Sequence, residues 1–158
     1  MARIIPNENT WVGFATTVVS TSAPTTANIT AAVNLTHWLI SINASAQGNT
    51  VPTPSFDTLF ETSIAGTTQA SFSADFYRDD ATDTAWETLP RATNGFFIIS
   101  RFGGGGTNNA PISGDKVEVW PVLVVSRTMA NMSNNTVMTF TVTCSVPDVP
   151  AEAATVAA

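Results

Sequence analysis

The nine residues MTFTVTCSV, Met138 to Val146, alternate without a break. Met138, Phe140, Val142, Cys144 and Val146 are apolar, and Thr139, Thr141, Thr143 and Ser145 carry hydroxyls. Period two over this length describes a strand with one face on a core and the other in water; a helix would need apolar residues every three to four positions. Phe72, Ala74 and Phe76 alternate with Ser73, Asp75 and Tyr77 in the same manner. The more continuously apolar runs Gly95–Phe102 and Lys116–Arg127 predict strands with more burial, and Pro121 inside the second predicts an edge or a bulge. Trp11–Val19 and Asn34–Ala44 complete a set of about six or seven strands, with Leu59–Ala65 a weaker candidate.

One helix interrupts this pattern. TDTAWETLP places Ala85, Trp86 and Leu89 on one side at helical spacing, Thr84 and Glu87 match a capping box, and Pro90 ends the turn. So short a helix needs packing by Trp86 and Leu89 to exist. The expected fold is mainly β: an antiparallel β-sandwich with one short flanking α-helix (about 82–90), extended loops and extended termini. With 158 residues the expectation is a single domain, able to bury about 70% of its unfolded surface. Three stretches read as long mobile connections: STSAPTTAN, AQGNTVPTPS and FGGGGTNNAPISGD. An N-terminal arm (about 1–9) and a C-terminal tail (about 147–158), rich in Ala and Pro, lack apolar periodicity, so the tail is expected to fray unless a neighbour holds it.

Charge narrows the function classes. Charged residues make up 11% of the chain, against about 25% in an average domain, and the polar surface rests instead on 25 Thr with Ser and Asn. A surface so poor in charge is weakly protected against self-association, which suits a subunit built to assemble. The net charge is −6, with six scattered basic residues, which argues against a surface that grips nucleic acid. The single cysteine, Cys144, rules out an internal disulfide and a multi-Cys zinc site. No run reaches the length of a membrane span, and MARIIPNENTW lacks the apolar core of a signal peptide, so production in the cytoplasm is expected.

Acid concentrates in FSADFYRDDATDTAWETLPRATNGFFII. Asp75, Asp79, Asp80, Asp83 and Glu87 are five of the twelve carboxylates, bracketed by Arg78 and Arg91. A calcium loop would want a Gly at its sharp turn, and none is present. Paired carboxylates of a glycosidase need a cleft with sugar-gripping groups, which nothing in the pattern marks. The plainer reading is that Asp79, Asp80 and Asp83 offset the dipole of the helix that follows. Gly103–Gly106 is not a phosphate loop, because no Lys-Ser/Thr follows and the run leads from strand to strand; a flexible hairpin tip is expected. His37 beside Trp38 has no triad context, and Cys144 reads as packing. No catalytic residue, metal site or cofactor is expected.

The order strand, acidic turn, short Trp helix, strand, in FSADFYRDDATDTAWETLPRATNGFFIISRFG, together with KVEVWPVLVVSRTMANMSNNTVMTFTVTCSVPDVPAEAATVAA, resembles the major tail protein of long-tailed, siphophage-type bacteriophages, nearest to versions from phages of actinobacteria. The two segments cover about half the chain. The resemblance implies a structural virion protein with no catalytic residues: six copies close into a ring, and rings stack into the hollow tail tube through which the genome is delivered. It implies a tape measure protein in the lumen, tail terminator and distal tail proteins at the tube ends, passing double-stranded DNA, and assembly in the host cytoplasm. On this reading Asp75, Asp79, Asp80, Asp83 and Glu87 are candidates for a subunit contact or the lumen wall, and Arg78 and Arg91 for ion pairs between or within subunits. The alternatives are a sugar-binding β-sandwich, which would expose Trp or Tyr on a concave face, and a head decoration protein.

Overall fold

A computed structural model describes residues 9–56 and 59–158. The elements run β1 (Trp11–Ala15), α1 (Thr26–Ala31), β2 (Val33–Asn34), β3 (Leu39–Thr53), β4 (Thr62–Tyr77), α2 (Thr84–Thr88), β5 (Asn94–Ser100), β6 (Lys116–Met129), β7 (Thr139–Ser145) and β8 (Ala151–Thr155), with 3-10 turns at Thr36–Trp38 and Thr107–Asn109. The mainly antiparallel β expectation holds. All eight strands belong to one sheet of order β2-β1-β5-β6-β7-β4-β3, with β8 also on β6.

The sheet folds over on itself into two layers. Phe72 of β4 stacks on Phe97 of β5 at 4.6 Å although β6 and β7 lie between those strands in the sheet. Between the layers sit Val12 and Phe14, Phe72, Ala74 and Phe76, Phe97 and Ile99, Trp120, Val122 and Val124, and Phe140, Val142 and Cys144. These are the alternating apolar positions of their strands, so the period-two pattern and the core are one fact. A second cluster covers the outer side of β1, β5 and the start of β6: Trp11, Ala15, Ile98, Val117 and Val119 meet Ile29 from α1 and Ala154 and Val156 from the tail. Strands β1 and β5 are thus apolar on both faces, which is why their sequence shows a run rather than an alternation.

Strand β6 joins the two layers. On one side it pairs with β5. On its other side β7 pairs from Leu123 onward and β8 from Val119 back to Lys116. Strands β7 and β8 therefore follow one another along the same side of β6, and residues 120–122 have no strand partner there among the described residues. The expected edge or bulge at Pro121 is instead this local gap: the residue lies in a central strand, and its missing N–H falls where the ladder is interrupted. Pro147 and Pro150 occupy the matching stretch between β7 and β8.

Several expectations are corrected. The C-terminal tail does not fray: Ala151–Thr155 is a strand of this same chain, Val156 is buried, and Ala157 accepts from Thr26 N–H. STSAPTTAN leads into a second helix, α1, with a true capping box between Thr25 and Asn28. The expected helix at about 82–90 is confined to Thr84–Thr88; its N-cap is Asp83, and the Thr84/Glu87 box does not form. The glycine run is not a loose hairpin tip. Gly103 has φ +74°, a Cβ on Gly104 would collide with Ala110 and Pro111, and the Asp115 carboxylate accepts from the N–H groups of Gly105 and Ile112 at 3.1 and 2.9 Å. AQGNTVPTPS, expected as a connection, is mostly strand β3. The N-terminal arm (about 1–9) lies, but for Asn9, outside the described residues.

Candidate assembly surfaces

The acidic segment separates into three environments. Asp75 lies on β4 and accepts from Ser41 Oγ on β3 at 2.6 Å and Thr141 Oγ1 on β7 at 2.5 Å. It ties three strands, and these hydroxyls, Ser41 first, lower its pKa from 3.8. Asp83 pairs with Arg78 and accepts weakly from the Asp79 N–H. Asp79 accepts from the Ala81 N–H at 3.2 Å, the main cause of its own lowered pKa. Asp80 and Glu87 are exposed, as is Arg91. The cluster does not converge: among the described residues no group of three His, Cys, Asp or Glu side chains could hold a metal ion.

Arg78 also does something the sequence did not reveal. Its guanidinium lies 4.1 Å from the Trp86 ring centroid, and Arg127 covers the same ring at 3.5 Å. Arg127 Nη1 donates to the Trp86 carbonyl at 2.6 Å, and the indole meets Phe140 edge-on at 5.1 Å. Each cation over an indole contributes about 0.5–2 kcal/mol, so this stack fixes a helix too short to stand alone. Desolvation and the neighbouring Arg78 lower the pKa of Arg127, though not enough to discharge a guanidinium. No local signal links residues 86 and 127; only the fold brings them together. Cys144 is packed in the core, and burial pushes its thiol up to about 12.

An extended uncovered feature is the distal part of the β3–β4 hairpin. Phe72, at the body end, is buried opposite Ala44. From Ala46 to Pro52 and from Glu61 to Gln69 every residue is exposed, although the ladder continues to Thr53↔Thr62. Val51 and Ile64 form a cross-strand pair exposed at 49% and 59%, and at the tip Phe56 and Leu59 are fully exposed. No charged residue occurs in 45–53 or 62–70. Gly48, Asn49, Pro52 and Pro54 read as breakers and hid this ribbon. The signal that could have found it is the β-branched content on both sides, Thr50, Val51 and Thr53 against Thr62, Ile64, Thr67 and Thr68.

Comparison with known proteins agrees with this architecture. The fold is similar to a chain in the tail of an empty gene transfer agent particle refined with C6 symmetry (TM-score 0.58, 14% identity, 93% of this chain and 97% of that one). It is similar to a chain of the native gene transfer agent virion (0.57, 12%, 94% and 98%), and to one in the six-fold symmetrised baseplate of the anti-feeding prophage (0.56, 11%, 94% and 95%). No curated protein sequence matches the chain. Residues 1–158 match the model of the phage tail tube protein family, and the chain belongs to that family. It is a structural component of a virion tail.

Proposed function

We propose that this chain is the repeating subunit of a tail tube: six copies close into a ring, rings stack, and the hollow tube conducts double-stranded DNA to the host. Membership of the family over the whole chain supports this, and so does the sixfold symmetry named for two of the similar assemblies. The observation that carries it in this molecule is the bare ribbon. A two-stranded hairpin is marginal in water on its own, and long open β edges invite pairing. A head-to-tail contact whose rotation closes gives a ring, and repetition along the axis gives a tube. The subunit performs no catalysis and binds no cofactor. Its partners are its own copies, then a tape measure protein, a terminator and distal tail proteins, with assembly in the host cytoplasm.

The exposed acids Asp80 and Glu87, with Asp79, contribute to a subunit contact or to a lumen that repels phosphate, an effect reaching only about 8 Å at physiological salt. Arg91 serves as a cation for a neighbouring subunit. Reversing Asp79 and Asp80 to Lys then impairs assembly or ejection; normal tubes with normal infectivity would count against that role. The sugar-binding alternative is disfavoured because Trp11 and Trp120 are buried and Trp38 and Trp86 half-buried, which leaves Tyr77, at 41% exposure, without an exposed Trp to form a platform with it. Negative-stain electron microscopy of the concentrated purified protein tests the proposal. Rings or hollow tubes are expected, and a population that stays monomeric at all concentrations argues against it.

A further inference from the structure

A second apolar surface is left uncovered, in the body rather than on the ribbon. Where the first residues of β3 lie near β1 and the end of β5, a cleft of about 300 Å³ remains. Val12, Leu39, Ile40, Ile42 and Ile99 line it together with Thr10 and Ser41, and Arg101 lies beside them. Ile40 sits at a register break between Leu39 and Ser41 and is 43% exposed. An apolar cavity of about 150 Å³ accepts one benzene ring, so this cleft has room for roughly two large side chains. Arg101 is already held by Glu118, with Nη2 to Oε2 at 3.0 Å, yet its side chain remains 46% exposed.

We infer that this cleft receives the ribbon tip of a second copy of the same chain, with Leu59 and its apolar neighbours filling it and Glu61 meeting Arg101. Two observations select this occupant, and the geometry of the contact agrees with them. The tip presents large, fully exposed apolar side chains, which need a place to be buried. The ribbon contains no cation, and its near tip carries Glu61, so its charge complements the arginine beside the cleft. Docking one copy's tip in another's body is a heterologous contact, the kind that propagates rather than ending at a dimer. The inference rests on the self-assembly proposed above and names the receptor for one of its contacts.

The test is a cross-link between two variants that each add one cysteine to the native Cys144, Leu59→Cys and Ile40→Cys, each at an exposed position. The native Cys144 is buried with its thiolate suppressed, so it does not compete. The variants are mixed, concentrated, oxidised mildly and read by non-reducing gel and by electron microscopy. A disulfide-linked pair that forms in the mixture at least tenfold more than in either variant alone is the expected result, and Arg101→Glu should reduce it severalfold. Tubes or rings without the cross-link overturn the receptor assignment and leave the self-assembly proposal standing. Neither assemblies nor cross-links at any concentration overturn both.

Discussion

The β3–β4 hairpin is one ladder with two unlike halves. From Leu39 to Ala44 it pairs with Phe72–Phe76, whose apolar side chains are fully buried and stacked against Phe97, Trp120 and Phe140. Beyond Ser45 the same two strands continue with the same antiparallel pairing, but mostly over Thr, Gly, Gln and Ala, and from Ala46 to Pro52 and Glu61 to Gln69 every residue is exposed. Backbone hydrogen bonds are equal in kind in the two halves, so they do not account for the difference. Burial does: each net hydrogen bond contributes about 1 kcal/mol, while burying one large apolar side chain contributes about 1.5–3 kcal/mol. The proximal half is held by the core of its own chain, and the distal half is, on the proposal above, completed by the surface of another.

Substitutions can break that contrast, and the largest effect belongs to the proximal half. Phe72→Ala removes a ring packed on two others and is expected to cost about 3–5 kcal/mol of unfolding free energy, read from urea midpoints of the isolated subunit. A loss below about 1 kcal/mol would mean that the layers are not locked through β4. Next comes α2. Trp86→Ala removes both guanidinium stacks and the contact with Phe140, an expected loss of about 2–3 kcal/mol for a half-buried indole. Trp86→Phe should recover part of it. If Trp86→Ala were silent, the arginine stack would be ornamental and α2 held by Ala85 and Leu89 alone.

A smaller effect depends on pH. Asp75 has a folded pKa below its ordinary 3.8 because Ser41 and Thr141 hydrogen-bond the carboxylate. A depressed carboxylate contributes stability that is present above its unfolded pKa and lost as pH falls through the folded value. Wild type should therefore exceed Asp75→Asn near neutral pH, with the gap closing below about pH 4. Asp79 titrates with the same sign, but it is common to both proteins and cancels in the difference. A gap independent of pH would show that Asp75 acts by shape rather than by charge.

What was legible in the sequence follows the same division. Strands that bury one face, β4 at Phe72–Tyr77 and β7, announced themselves by alternation, and the family resemblance rested on those segments. The ribbon did not, because its two faces meet similar surroundings and no period is imposed; Gly48 and the prolines then read as loop. The tail failed for another reason. Ala154 and Val156 bury small side chains in a groove made by α1 and β6, residues distant in sequence, and composition alone cannot see that groove. At the candidate surfaces the carboxylates were found but not sorted: that Asp75 ties strands depends on Ser41 and Thr141, which only the fold brings to it, whereas Asp83 holds Arg78 from within the same segment.

The smallest effect on stability should accompany the sharpest difference in dynamics. Val51→Thr and Ile64→Thr touch only exposed positions and are expected to change the subunit's stability by no more than about 0.5 kcal/mol. In the free subunit, ribbon amides lack a core to hold them and should exchange with solvent through local opening, while amides near Phe72 and Val142 exchange only on global unfolding. Hydrogen exchange read by mass spectrometry should thus show two rate classes along one pair of strands. On assembly the slow class should be unchanged and the fast class should become protected. In Val51→Thr/Ile64→Thr that protection should weaken although the fold is intact. If the ribbon of the free subunit were already as protected as the body, its pairing would be self-sufficient, and the second copy would not be needed to complete it.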